Sequence, residues 1–231
     1  MPGVFVTGTG TEVGKTVVAA AIAHTLAASG KTVAVFKPAV TGLDEPTGGP
    51  ADHELLRLAA GSSQADEEIA PYRYGPPASP HLAAELAGER IDPSRLLAAA
   101  HAAAASADVL VCEGVGGLLV PLAPDYLVRD LAAELALPLV IAASPGLGTI
   151  NHTLLTIEAA RAAGLEIASV VLTPWPEQPS TIEKSNRETI VALSEVEVEA
   201  LPPLDLDRPE TWPLLSTPQG DGVKGAFRFS S

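Results

Sequence analysis

Val4-Phe5-Val6-Thr7-Gly8-Thr9-Gly10-Thr11-Glu12-Val13-Gly14-Lys15-Thr16 is the stretch on which the fold turns. Its apolar start reads as a strand, its glycines as a tight turn, and Lys15-Thr16 as the opening of a helix. In that context loop amides and the free N–H groups of a helix N-terminus converge on an anion. Lys15 would pair with the β/γ-phosphates of a nucleotide, and the Thr16 hydroxyl would reach Mg²⁺. Five residues separate Gly8 from Gly14, against about four in the common phosphate-loop pattern, and Thr9 stands at the usual first-glycine position. A tight turn that merely contains glycine and lysine is the bland alternative. The strand before and the helix after favour a nucleotide.

Working outward, β-branched runs alternate with alanine-rich helical stretches. Residues 4–8 are a strand. Residues 14–29 are a helix with Val18, Ile22, Thr25 and Leu26 on one face and Gly30 as its stop. Strands follow at 32–38, 109–112, 137–144 and 167–173. Helices are expected at 52–60, 93–106 and 151–163. Continuous apolar strands separated by helices mean a parallel sheet with helices on both faces, in one α/β domain spanning 1–231. Right-handed crossovers then bring every strand's C-terminal end to one edge, where ligands bind. Residues 42–50 read as a Gly/Pro-rich loop. Residues 202–231 have weak periodicity, 205–231 are expected to be loosely ordered, and 220–231 read as a flexible tail or an expression remnant.

The informative side chains follow strands. Lys37 ends the second strand and is placed to meet a transferring γ-phosphoryl. Glu113 follows the apolar run 109–112 and precedes Gly114-Val115-Gly116-Gly117. A carboxylate there is placed to hold Mg²⁺, and the glycines allow close backbone approach. Asp52, opening a helix after the glycine loop, is a weaker candidate whose bland reading is an N-cap. Gly146-Leu147-Gly148-Thr149-Ile150-Asn151-His152 joins a strand to a helix on the same edge, and its amides suit a substrate carboxylate. His152 is given no catalytic role. Cys112 reads as a buried structural thiol.

Composition narrows the field. Apolar residues are 47%, enough for a core, and aromatics only 4%, so Ala, Val and Leu do the packing. The formal charge is −14, from 14 Lys+Arg against 28 Asp+Glu. That argues against a general nucleic-acid or anionic-membrane binder, which needs a basic face. One cysteine excludes an intrachain disulfide and a cysteine metal cluster. The start lacks the pattern of a signal peptide, and no apolar run has membrane-span length, so a cytoplasmic protein is expected.

In these residues the chain resembles the dethiobiotin synthetase family, of P-loop NTPase-like fold. The resemblance rests on residues 6–16, Lys37-Pro38 with Thr41-Gly42, Glu113–Gly117, and Gly148–His152, in the family's order. It implies a homodimer that takes 7,8-diaminopelargonic acid, CO₂ and ATP with Mg²⁺. It further implies that one amine becomes a carbamate, that the carbamate attacks the γ-phosphorus, and that the second amine closes the ureido ring. By the same resemblance Gly10, Thr11, Glu12, Val13, Gly14, Lys15, Thr16 and Val17 wrap the nucleotide. Thr11, Lys15 and Lys37 act on phosphate or carbamate, and Thr16, Asp52 and Glu113 ligate Mg²⁺. Thr41 and Gly116 lie by the substrate. Gly148, Thr149, Ile150 and Asn151 hold its carboxylate across a dimer interface. Base contacts fall to Thr173 and Pro203. Relatives typically carry asparagine at the first of these, so the threonine points to relaxed nucleotide choice, extending beyond ATP.

Two other classes compete. An amide-forming synthetase of the corrinoid-acid type usually carries a further domain with a nucleophilic cysteine, whereas the cysteine here lies in an apolar strand. A switch ATPase of the partitioning or division-site type carries an early lysine in the phosphate loop, where this chain has Gly10.

Overall fold

The computed structural model describes residues 1–45, 49–216 and 228–229. In chain order the elements are β1 (Gly3–Gly8), α1 (Lys15–Ala28), β2 (Val33–Phe36), α2 (Asp52–Ala60), α3 (Asp66–Ile69), α4 (Pro80–Leu86), α5 (Pro93–Ala105), β3 (Val109–Glu113), β4 (Pro121–Ala123), β5 (Tyr126–Leu127), α6 (Val128–Leu135), β6 (Leu139–Ala143), α7 (Thr149–Ala162), β7 (Ile167–Leu172), α8 (Thr181–Ser194) and β8 (Val198–Ala200). Two short strands, β9 (Leu215–Ser216) and β10 (Arg228–Phe229), pair antiparallel. The β4 and β5 segments form a second small hairpin.

Six strands make one sheet in the order β2-β3-β1-β6-β7-β8, and every neighbouring pair is parallel. The fold is thus a single α/β domain of P-loop NTPase type. The side-chain period of two sorts each strand between two cores. Val4 and Val6 pack with Val33, Val35, Val111 and Val140 beneath α1 and α2. Phe5, Ala34, Phe36, Leu110 and Cys112 face the other way, against Leu96 of α5 and Leu131 of α6. A third cluster joins Ile141, Val170 and Leu172 to Ile157 of α7 and Ile190 of α8. Each fully buried Val, Leu or Phe contributes about 1.5–3 kcal/mol, so the continuous apolar runs hold the sheet. β2 and β3 lie on one side of β1, and β6, β7 and β8 on the other. The connections therefore part above the end of β1, which is where a crevice opens.

The sheet has one strand more than periodicity indicates. β8 is the edge strand Val198–Ala200; Glu195, Glu197 and Glu199 interrupt any apolar run there, although Val198 and Glu199 are both buried. The helix α8 opens on a capping box, with Glu183 Oε2 accepting from the Ser180 amide at 2.7 Å. α7 begins at Thr149, two residues ahead of the expected start, with Gly148 at φ 92 before it. The segment 205–212 is fastened to the body. The Trp212 indole N–H donates to the Asp205 carbonyl at 2.6 Å, and its ring packs edge-on against His24 at 5.6 Å. Most of the segment expected to be a tail, 217–227 and 230–231, lies outside the described residues. Among the described residues no helix is long and apolar enough to cross a membrane.

Candidate active site

The crevice is built from the ends of three adjacent strands. β1 ends at Gly8, where an added Cβ would meet Val13 Cγ2 at 2.7 Å and Lys15 Cγ at 2.8 Å. The loop closes over Gly8 because that position has no side chain. Gly14 caps α1 at φ 86, and Thr173 Cγ2 lies 2.4 Å from where a Gly14 Cβ would stand. The loop thus turns into α1 through a left-handed residue wedged against the end of β7. In Gly14→Ala the methyl group would collide with Thr173 at a φ that costs an L-residue about 1–2 kcal/mol. We expect this variant to bind nucleoside triphosphate at least about tenfold more weakly, read by fluorescent-nucleotide titration. Unchanged affinity would show that the loop tolerates the shift.

Lys15, in the first turn of α1, donates from Nζ to the Gly10 carbonyl at 2.6 Å. Its pKa is lowered, chiefly by burial, against the pull of Glu113. Lys37, just past β2, is 3% exposed. Its ammonium lies 2.5 Å from Asp52 Oδ2 and 2.7 Å from Glu113 Oε1. Burial works against that charge, but Glu113 and Asp52 outweigh it and hold the Lys37 pKa above the ordinary lysine value. Burial also pushes the Asp52 carboxyl upward; the neighbouring Lys37 charge overcomes this and leaves its pKa lowered. Burial raises the Glu113 pKa, with Lys37 pulling the other way. Thr16 Oγ1 donates to Glu113 Oε1 at 2.8 Å. Glu113 Oε2 is buried and has no hydrogen-bond partner among the described residues. Replacing a buried ion pair by well-packed apolar residues is often neutral or stabilising, so stability alone does not account for this cluster.

These groups line a cleft of about 690 Å³ together with Thr11, Glu12, Gly14, Val17, Thr41 and Gly116. The fold thereby gathers most of the sequence-derived candidates into one place. It adds Glu45, Pro77, Ser79 and Pro80, which periodicity did not single out. Ser79-Pro80 is legible only as a helix start, since Pro80 occupies the first turn of α4. The donor set of Thr16, Asp52 and Glu113 is all oxygen, with one buried carboxylate oxygen unpartnered. That suits a hard cation such as Mg²⁺.

Other candidates lie apart from this cleft. Thr173 is buried against Gly14, and Pro203 is exposed; neither lines it. Gly10 lies beside the loop's second groove, and Val13 packs on the core. Gly148 and Asn151 are exposed, Ile150 packs on the third cluster, and Thr149 Oγ1 sits 3.4 Å from Thr153 Oγ1. The second groove, about 420 Å³, runs between Gly8–Thr11, Gly117–Val120 and the α7 residues His152, Leu155, Thr156 and Ala159. Large apolar side chains stand open in this region: Leu119 and Leu155 beside the groove, and Leu147 at 96% exposure before α7. Cys112 is fully buried, and burial pushes its thiol pKa up, as for an inert structural cysteine.

A glycine-rich loop between β1 and α1, a lysine in the first helical turn and an acid ending the neighbouring strand define a nucleotide-dependent α/β enzyme. A family model described as an AAA domain matches residues 2–208. The chain is 43% identical to the ATP-dependent dethiobiotin synthetase of Rhodococcus erythropolis over 207 residues, covering 86% of this chain and 87% of that one. It is 36% identical to the ATP-dependent dethiobiotin synthetase of Bacillus subtilis, covering 88% and 87%. The chain belongs to the dethiobiotin synthetase family. Among solved structures, the MinC:MinD cell division protein complex of Aquifex aeolicus aligns with a TM-score of 0.55 at 15% identity, covering 93% of this chain and 91% of that one. That likeness concerns the fold alone.

Proposed function

We propose that the chain carboxylates 7,8-diaminopelargonic acid with CO₂ and closes the ureido ring of dethiobiotin, driven by a nucleoside triphosphate. The observation that carries this reading is the convergence of Lys15, Lys37, Thr16, Asp52 and Glu113 on one cleft in a chain of this family. One substrate amine adds to CO₂ and loses a proton, giving a carbamate. A carbamate oxygen attacks the γ-phosphorus, and the bond to the β-phosphate oxygen breaks, releasing the nucleoside diphosphate. The second amine then attacks the carbonyl carbon, its proton is lost, and phosphate leaves with the oxygen that joined it.

The protein's part is charge placement. Carbamate and triphosphate are both anionic, and the chain is strongly acidic overall, so neutralisation must be local. Lys15 and the loop amides hold the phosphates. Lys37 neutralises the carbamate and the transferring phosphoryl. Thr11 positions the phosphate chain, and Thr41 and Gly116 border the diamine. Thr16, Asp52 and Glu113 would hold Mg²⁺, which when bound neutralises phosphate oxygens. No protein nucleophile is required. Gly148–Asn151 lie outside the cleft of their own chain, which favours a homodimer in which this loop meets the substrate carboxylate of the partner's site. The exposed Leu119, Leu147 and Leu155 supply an apolar face for that contact. A cytoplasmic location belongs to the same reading.

The reaction order has an isotopic consequence. With ¹⁸O-labelled CO₂, one label should appear in the released phosphate and one in the dethiobiotin carbonyl. Unlabelled phosphate beside labelled product would remove the carbamate as the phosphoryl acceptor.

Base selection should be loose. Pro174, Pro176, Pro202 and Pro203 have no backbone N–H. The Trp175 amide is spent on the Leu201 carbonyl and the Leu201 amide on Leu172. Thr173 offers one hydroxyl, where an adenine edge asks for a donor and an acceptor together. We therefore expect CTP and GTP to support turnover within about tenfold of ATP, a difference of about 1.4 kcal/mol. Competition kinetics with four triphosphates decide this, and a thousandfold preference for ATP would overturn it.

A further inference from the structure

We infer that Lys37 is the intramolecular stand-in for the divalent cation, and that metal enters this site only when a triphosphate is there to receive the lysine. The inference rests on the reading of Thr16, Asp52 and Glu113 as the metal set. Asp52 and Glu113 are separated by sixty residues of chain, yet both carboxylates point at one ammonium, at 2.5 and 2.7 Å. Thr16 Oγ1 adds a third group on the same Glu113 oxygen at 2.8 Å. An Mg²⁺ ion bridging these oxygens would stand about 2.0–2.1 Å from each. The Lys37 ammonium already fills the space between them, so the two cations exclude one another by volume and by like charge.

Eviction by metal alone is unfavourable because the released ammonium stays buried. Lys37 is 3% exposed, and the lysine beside it is already engaged, with Lys15 Nζ on the Gly10 carbonyl. A buried charge without a partner is far more costly than a paired one. A triphosphate changes the balance. Its oxygens accept both lysines, and they complete the metal's octahedron, which two carboxylates and a hydroxyl leave short. Metal and nucleotide affinities are then coupled, each strengthening the other by the same factor. The exchange also delivers Lys37 from the carboxylates to the reacting phosphoryl at the moment it is needed. The cation position between Asp52 and Glu113 is therefore kept filled by Lys37 and metal-poor between turnovers.

The test is Mn²⁺ binding to the full chain without nucleotide, followed by electron paramagnetic resonance at neutral pH. Wild type should bind Mn²⁺ only weakly. Lys37→Gln, which keeps an amide on the carboxylates and removes the charge, should bind at least about tenfold more tightly. Adding Glu113→Gln to that variant should erase the gain. Circular dichroism reports whether the variants are folded, and Lys37→Met serves if Lys37→Gln is not. Tight nucleotide-free binding by wild type overturns the inference without any variant. So does a folded Lys37 variant with no gain, or a gain that survives Glu113→Gln. Dethiobiotin formation by wild type is measured separately. If product forms with Mg²⁺ while Mn²⁺ fails to follow this pattern, the exchange is wrong and the function stands.

Discussion

Lys37→Gln is expected to lower turnover by at least about a hundredfold while the chain still folds. The magnitude is that of a lost charge contact to the transition state, about 2.7–4 kcal/mol. Lys37 ends β2 on the ligand edge and lines the cleft, so its ammonium can reach the carbamate and the transferring phosphoryl. The folded state has a reason to survive: Gln can retain hydrogen bonds to Asp52 or Glu113, the two groups that accept from Lys37. A melting temperature lowered by several degrees is acceptable; near-normal turnover in a folded variant is not, and would remove Lys37 from the chemistry.

The second large effect is a recovery. Lys15→Ala and Asn151→Ala chains should each be nearly inactive, the first for want of a phosphate ligand and the second for want of a carboxylate ligand. Mixed and allowed to exchange, they should regain about a quarter of wild-type activity. Half of the randomly formed dimers are then hybrids, and one of the two sites in each hybrid keeps both residues, as twofold symmetry dictates. The support is that Lys15 lines the main cleft while Asn151 stands exposed outside it. If exchange is verified and activity stays at the level of the separate variants, Asn151 works within its own chain or has no role.

What could be read from the sequence follows from burial. β1, β2, β3, β6 and β7 are covered on both faces, so they print as continuous apolar runs and were all legible. β8 is a three-residue edge strand with Glu199 at its centre, and it gives no such run. The helix α8 carries a readable signal, Ser180-Thr181-Ile182-Glu183, that a search for apolar periodicity passes over. The loop chemistry was legible because Gly8, Gly14 and Lys15 must sit at fixed offsets between a strand and a helix. The clamp on Lys37 was not. Asp52 is 15 residues away and Glu113 is 76, and only the parallel pairing of β2 with β3 brings the latter alongside. The family resemblance, not local pattern, put Thr173 among the base contacts; the packing of its methyl group against Gly14, between the end of β7 and the start of α1, is a contact that distance in sequence hides.

The central claim is tested most directly by incubating the purified chain with diaminopelargonic acid, bicarbonate, Mg²⁺ and ATP, and measuring dethiobiotin by mass spectrometry beside released phosphate. Dethiobiotin and phosphate are expected in equal amounts, with both lost when the diamine, the carbon source or the triphosphate is omitted. Nucleotide hydrolysis that proceeds without the diamine and yields no dethiobiotin would contradict the claim.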